Sequence, residues 1–240
     1  MPQQPIKPHS LLQSIFYHLF PGVLTAGFYF LIRQPVINRG YPSIFALIIA
    51  AAVFLIPVEL GFLLYQGQKT TGRLTLKGVI SYTDSIPWWQ MVLWVVLVFV
   101  ATGLIFTLLK PVDAVLKEKV FFWVPGPENG LDGSVTRSVL IVTYALFFIF
   151  LAVLAPLVEE LYFRGYLLPR TPGKFGGWLH SFLFAVYHFF TPWMIITRTL
   201  GLMPLVYAVK KKNLYVGIII HILVNSLDVI TAVVFISNMV

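Results

Sequence analysis

The stretch SVLIVTYALFFIFLAVLAPLVEELYFRG, Ser138 to Gly165, carries two opposed signals. From Ser138 to Val158 no side chain is charged, and a helix needs about 20 such residues to cross the hydrocarbon of a bilayer. The run then meets Glu159, Glu160 and Arg164, groups that are costly at membrane depth unless they face protein, water or one another. The first signal predicts a transmembrane helix. The second marks its end as a functional candidate.

Outward from this stretch the first signal recurs. The 240 residues are 58% hydrophobic and only 11% charged, a composition far from that of a soluble domain. Candidate spans fall at about 11–33, 42–65, 87–109, 136–163, 176–190, 193–209 and 214–236. The fifth and sixth are short and are joined by HFFTPW, where Pro192 interrupts the helix and no charge marks an aqueous loop. They are expected to tilt or to meet at membrane depth inside the bundle, where broken backbone is tolerated. No repeat or long linker divides the chain, so residues 1–240 read as one all-α, polytopic membrane domain whose polar-residue core spans 136–236.

The net charge of +8 is spread over connecting segments, apart from the cluster Lys210 to Lys212. That pattern fits topology signals and contacts with membrane lipids, and argues against a nucleic-acid partner. Nine basic residues on one side against six on the other favour a cytoplasmic N-terminus. The leading MPQQPIKPHS reads as a proline-rich cap before a retained first span. Segment 66–86 reads as a polar loop, and AVLKEKVFFW within 110–135 as an amphipathic piece along the interface. Without cysteine there are no disulfides, thiolate metal sites or cysteine nucleophile.

Glu159 and Glu160 stand about 100° apart on a helix, so only one can point squarely into a common cavity. Glu160 and Arg164 share a face in the favourable acid-before-base order and can neutralise each other. Glu159 is then the less compensated carboxylate, suited to accept a proton. The plainer alternative places the whole cluster at the interfacial end of the span, reaching water. His188 ends a very apolar segment one turn after Phe184, and a lone histidine there could simply bond across the bundle. His221 and Asn225 share a face near the start of the last span, with Asp228 a turn further. His180 and Glu59 read more readily as packing residues, and His18, Trp88 and Trp89 as interfacial anchors.

Two glutamates, two histidines and an asparagine on three apolar helices would support hydrolysis if they converge. A carboxylate with a histidine can deprotonate water, while a second histidine and an amide can donate to an oxyanion. The same set, Glu159, Glu160, His188 and His221, could instead hold zinc, the one cofactor these residues suggest. H-E-x-x-H and G-x-S-x-G are both absent, and Ser226 has no evident base.

The chain resembles the CPBP family of intramembrane proteases, which includes CAAX prenyl endopeptidases and Abi-like, bacteriocin-immunity-associated proteins. The likeness rests on Glu159, Glu160 and Arg164 with the following GYLLPR, on Phe184 with His188, and on His221 with Asn225, in family order. The resemblance implies a bundle of about seven to eight helices with the site inside it, in a multi-pass, prokaryotic-type cell membrane. It also implies cleavage of a peptide bond in a membrane-associated, lipidated or unlipidated, substrate. Glu159 and His188 would activate water, Glu160 would tune Glu159, Arg164 would hold the pair, and His221 and Asn225 would stabilise the oxyanion. Both metal-dependent and metal-free mechanisms remain open at this point. Two other readings compete: a non-proteolytic scaffold or immunity protein that keeps the fold, and a proton-coupled transporter.

Overall fold

The computed structural model describes residues 6–239 and contains only helices and connecting turns. Pro2 and Pro5 of the proline-rich cap lie outside the described residues. Helix α1 is Leu11–Ile37, α2 Ile44–Thr71, α3 Trp88–Lys119 and α4 Arg137–Arg170. Helix α5 is Gly176–Tyr187, α6 Pro192–Gly201, α7 Met203–Lys211 and α8 Leu214–Ser237. Local chemistry sets several of these starts. Ser10 and Gln13 form a reciprocal capping box before α1, and the Asn213 side chain accepts from Val216 N–H at 3.2 Å to open α8.

Among the described residues five helices, α1 to α4 and α8, are long and apolar enough to cross a membrane. A sixth crossing appears if α6 and α7, bent by 40° at Leu202, count as one. This agrees with a polytopic membrane bundle. On α3 only Val98 and Thr102 are buried, while Val92, Leu93, Val96, Leu97, Val100, Leu104 and Leu108 are exposed. An apolar surface of that extent belongs against lipid tails.

The fifth expected span does not cross as a helix. Helix α5 has 12 residues, about 18 Å, and stops at His188, whose φ of −83° and ψ of 57° leave the helical region. Residues 188–191 continue as a turn, with Thr191 N–H donating to His188 O at 2.9 Å, before Trp193 meets Lys117 at the far end of the bundle. Broken backbone thus sits within protein, which satisfies its polar groups. The expected interfacial piece AVLKEKVFFW also differs: its first residues complete α3, which runs to Lys119.

Helix α4 extends beyond the expected end near 163, because wide π-helical turns at Phe148–Leu154 and Glu160–Leu167 carry it to Arg170. Glu159 therefore lies roughly 15 Å inside the Arg170 end rather than at an interface. One end of the bundle gathers His9, Arg170, the loop 72–87, Lys212 and Asn213. His9 N–H donates to Arg170 O at 2.8 Å, Leu214 N–H to Tyr82 O at 2.7 Å and Lys212 Nζ to Gln90 Oε1 at 3.2 Å. Measured from that end, Glu159 on α4, His188 on α5 and His221 with Asn225 on α8 all fall at depths of about 12 to 18 Å.

Candidate active site

Glu160 is the centre of the polar cluster. It is wholly buried, and its Oε1 accepts from His221 Nδ1 at 3.0 Å while pairing with Arg164 Nη1 at 3.0 Å. The expected Glu160–Arg164 pair is present. None of the Arg164 nitrogens makes an aligned hydrogen bond, so the contact is one of charge rather than of directed N–H donors. The guanidinium carbon also lies over the Phe184 ring, 3.9 Å from its centroid, an arrangement open to arginine because its charge is planar and delocalised.

The other Glu160 oxygen, Oε2, nests against Gly217 without a hydrogen-bond partner. A Cβ at Gly217 would stand 2.7 Å from that oxygen and 2.9 Å from Val209 Cγ2. Gly217 is one turn before His221 and two before Asn225, so this face of α8 supplies a space, an imidazole and an amide in succession.

Glu159 is 4% exposed and is the more reachable of the two acids. Its Oε2 lies 3.7 Å from His221 Nε2, so the histidine bridges both glutamates from opposite ring nitrogens. Nδ1 donates to Glu160, whereas Nε2 stands at charge-contact rather than hydrogen-bond distance from Glu159, so the imidazole is the one group that faces both carboxylates.

His188 lies beyond the Phe184 ring, with centroids 4.9 Å apart, and the same ring stands 6.4 Å from His221. Its Nδ1 is 2.9 Å from Phe184 O, an atom that can only accept, so Nδ1 carries hydrogen and the neutral ring presents a lone pair at Nε2. Asn225 donates from Nδ2 to Leu151 O at 2.8 Å, in the first π segment of α4. That bond uses one amide hydrogen and leaves the second free. Thus Glu159, Glu160, Arg164 and His221 are brought together, His188 joins them through Phe184, and Asn225 stands a turn beyond His221. Asp228 is exposed, and the Ser226 hydroxyl is spent on Ile222 O at 2.7 Å.

Glu59, wholly buried on α2, accepts from the Tyr187 hydroxyl at 2.8 Å. Tyr187 thereby ties the residue preceding His188 to α2. It has no signal in the sequence beyond its place beside a histidine. His18 and His180 form a separate pair, both wholly buried, with His18 Nε2 2.9 Å from His180 Nδ1 and His18 Nδ1 2.7 Å from Ser14 O. His18 is consequently a link between α1 and α5 rather than an interfacial anchor.

The four residues considered for zinc do not fit a metal centre in this arrangement. Among the described residues no group of three or more His, Asp or Glu side chains is disposed to hold a metal ion. Both His221 nitrogens already face carboxylates, and His188 Nδ1 is turned to backbone.

A family model described as "Type II CAAX prenyl endopeptidase Rce1-like" matches residues 141–227, a segment that contains every member of the cluster from Glu159 to Asn225. The match covers less than half of the chain. No curated protein and no solved structure matches it.

Proposed function

We propose that the protein is an intramembrane endopeptidase that hydrolyses a peptide bond of a membrane-associated substrate by a metal-free, carboxylate-assisted route. The observation that carries this reading is the placing of a reachable carboxylate, Glu159, 3.7 Å from the imidazole of His221 inside a segment similar to a prenyl endopeptidase family. A water between Glu159 and His188 Nε2 gives a proton to this pair of bases as its oxygen attacks the carbonyl carbon. The carbonyl electrons move to oxygen, and the free amide hydrogen of Asn225 with His221 Nε2–H supplies donors to that oxyanion. Collapse breaks the C–N bond, and the stored proton passes to the departing amine, leaving a carboxylate and an amine. Arg164 and Glu160 do not touch substrate; they hold His221 in register. By its likeness to a prenyl endopeptidase family, a lipidated peptide is the first substrate class to try.

The test is cleavage of lipidated and unlipidated peptides by purified protein in detergent, beside Glu159→Ala and His188→Ala. Each variant is expected to lose about 10²- to 10⁴-fold in kcat while its unfolding midpoint stays near the parent's. A folded parent that cleaves no peptide, or variants that cleave as fast as the parent, would sink the reading.

A further inference from the structure

His188 is aimed by something other than its own hydrogen bond. Its Nδ1 bonds to Phe184 O on the same short helix, which sets the ring against α5 but does not set α5 against Glu159. Helix α5 stops at this residue, so the place of its last turn decides where Nε2 points. Tyr187, the residue before it, is held from three other helices.

On α1, Gly22 leaves the gap that Tyr187 fills: a Cβ there would run into Tyr187 O and stand 2.6 Å from its Cδ2. On α4, Phe163 meets the Tyr187 ring edge-on, with centroids 4.8 Å apart. On α2, Glu59 accepts from the hydroxyl at 2.8 Å. The first two contacts are packing; the third is a directed link. Leu55 and Leu63 stand one turn before and after Glu59, and Ala155 and Phe163 one turn before and after Glu159. All four belong to one buried cluster with Phe184 and Tyr187, so leucine is what this face of α2 uses for packing. An acid in that row, wholly buried and with its Oε2 unpartnered, is a costly replacement, and among the described residues the Tyr187 hydroxyl is the one hydrogen-bond partner it gains.

We propose that Glu59 and Tyr187 are positioning residues of this site: Glu59 anchors the Tyr187 hydroxyl, and Tyr187 thereby sets the last turn of α5 so that His188 Nε2 faces Glu159. This rests on the endopeptidase reading. Neither residue touches substrate, since both are sealed inside the bundle. The tether needs an acceptor on α2 and a hydroxyl on α5 rather than a charge, so an amide oxygen serves in place of the carboxylate. It also brings α2, which precedes the matched segment 141–227, into a site whose other members all come from α4, α5 and α8. A reacting group misplaced by about 1 Å can lose about 10²-fold in rate, so a link far from the substrate is enough to govern kcat.

The experiment compares parent, Tyr187→Phe, Glu59→Leu, Glu59→Gln and the double variant Glu59→Leu/Tyr187→Phe on one fluorescent peptide, with unfolding midpoints to show that each folds. Tyr187→Phe and Glu59→Leu are each expected to lose about 10- to 100-fold in kcat with KM little changed, and Glu59→Gln to recover most of that loss. The double variant should be no slower than either single one, because both remove the same link. Carbethoxylation of His188, followed by mass spectrometry without substrate, reads the exposure of its Nε2. It should run several-fold faster in Tyr187→Phe and Glu59→Leu than in the parent, and at the parent's rate in Glu59→Gln. A folded Tyr187→Phe with parental kcat, a loss confined to KM, or a Glu59→Gln as slow as Glu59→Leu overturns the proposal. So does a double variant whose loss is the product of the two single losses. A folded parent that cleaves no peptide overturns the endopeptidase reading alone, since the carbethoxylation rates still decide the tether; equal rates in parent and Tyr187→Phe would then overturn it too.

Discussion

Arg164 and Arg198 are the same side chain in two opposite situations. Arg164 is wholly buried, stacked on Phe184 and 3.0 Å from Glu160, with no nitrogen reachable. Arg198 is partly exposed, tied by one nitrogen to Thr191 and without an acid at ion-pair distance. The sealed arginine answers a charge the protein carries itself. The open one is fastened by hydrogen bonds to Thr191 and has no acid at ion-pair distance, and it is this difference in partners, not residue type, that separates the two.

The sharpest way to break the contrast is to delete the sealed cation. Arg164→Leu leaves Glu160 buried with His221 alone, and removal of one member of a buried pair typically costs about 3 to 5 kcal/mol. A large fall in the detergent unfolding midpoint is expected, with little change for Arg198→Met. Equal midpoints for the two variants would erase the distinction. A smaller effect probes the space around the acid: Gly217→Ala puts a methyl where Glu160 Oε2 and Val209 already sit, and should cost about 1 to 3 kcal/mol together with part of kcat. If Gly217→Ala keeps parental stability and rate, the position of Glu160 is not set by α8.

The smallest effect concerns a third arginine, Arg170, which lies at the bundle end, 4.0 Å from the Tyr166 ring centroid and beside His9. Burial, and then the Arg170 charge, push the His9 imidazole below its ordinary 6.5. The folded protein thus binds the His9 proton less readily than the unfolded chain. Stability from this residue is present above pH 6.5 and is lost as pH falls through that value, down to the lowered folded pKa. A plot of unfolding midpoint against pH should be flatter in this window for His9→Gln; an unchanged slope would mean that neither burial nor Arg170 perturbs His9 in the fold.

The long spans were legible because an uncharged run of 20 residues has few other destinations, and the Glu160–Arg164 and Phe184–His188 pairs were legible because four residues is one helical turn. Three things were hidden. The π turns change the count of residues per turn without changing composition, so the sequence stopped α4 near 163 and kept an interfacial Glu159 open as an alternative. Arg198 was passed over because it sat inside a predicted span, where the hydropathy of its neighbours absorbed one charge. Gly217 carried no signal either, since its role is the absence of a side chain against an atom 57 residues away in sequence.

The shortness of α5 reaches back to biosynthesis. A 12-residue helix followed by irregular backbone cannot partition into lipid alone, because its length and its unpaired peptide groups both forbid it. It must enter alongside α6 and α7 and settle against α1 and α4, which are already in place by then. His188 therefore takes its place beside Phe184 only as the last helices close, and the polar cluster is complete only once the whole bundle has been assembled.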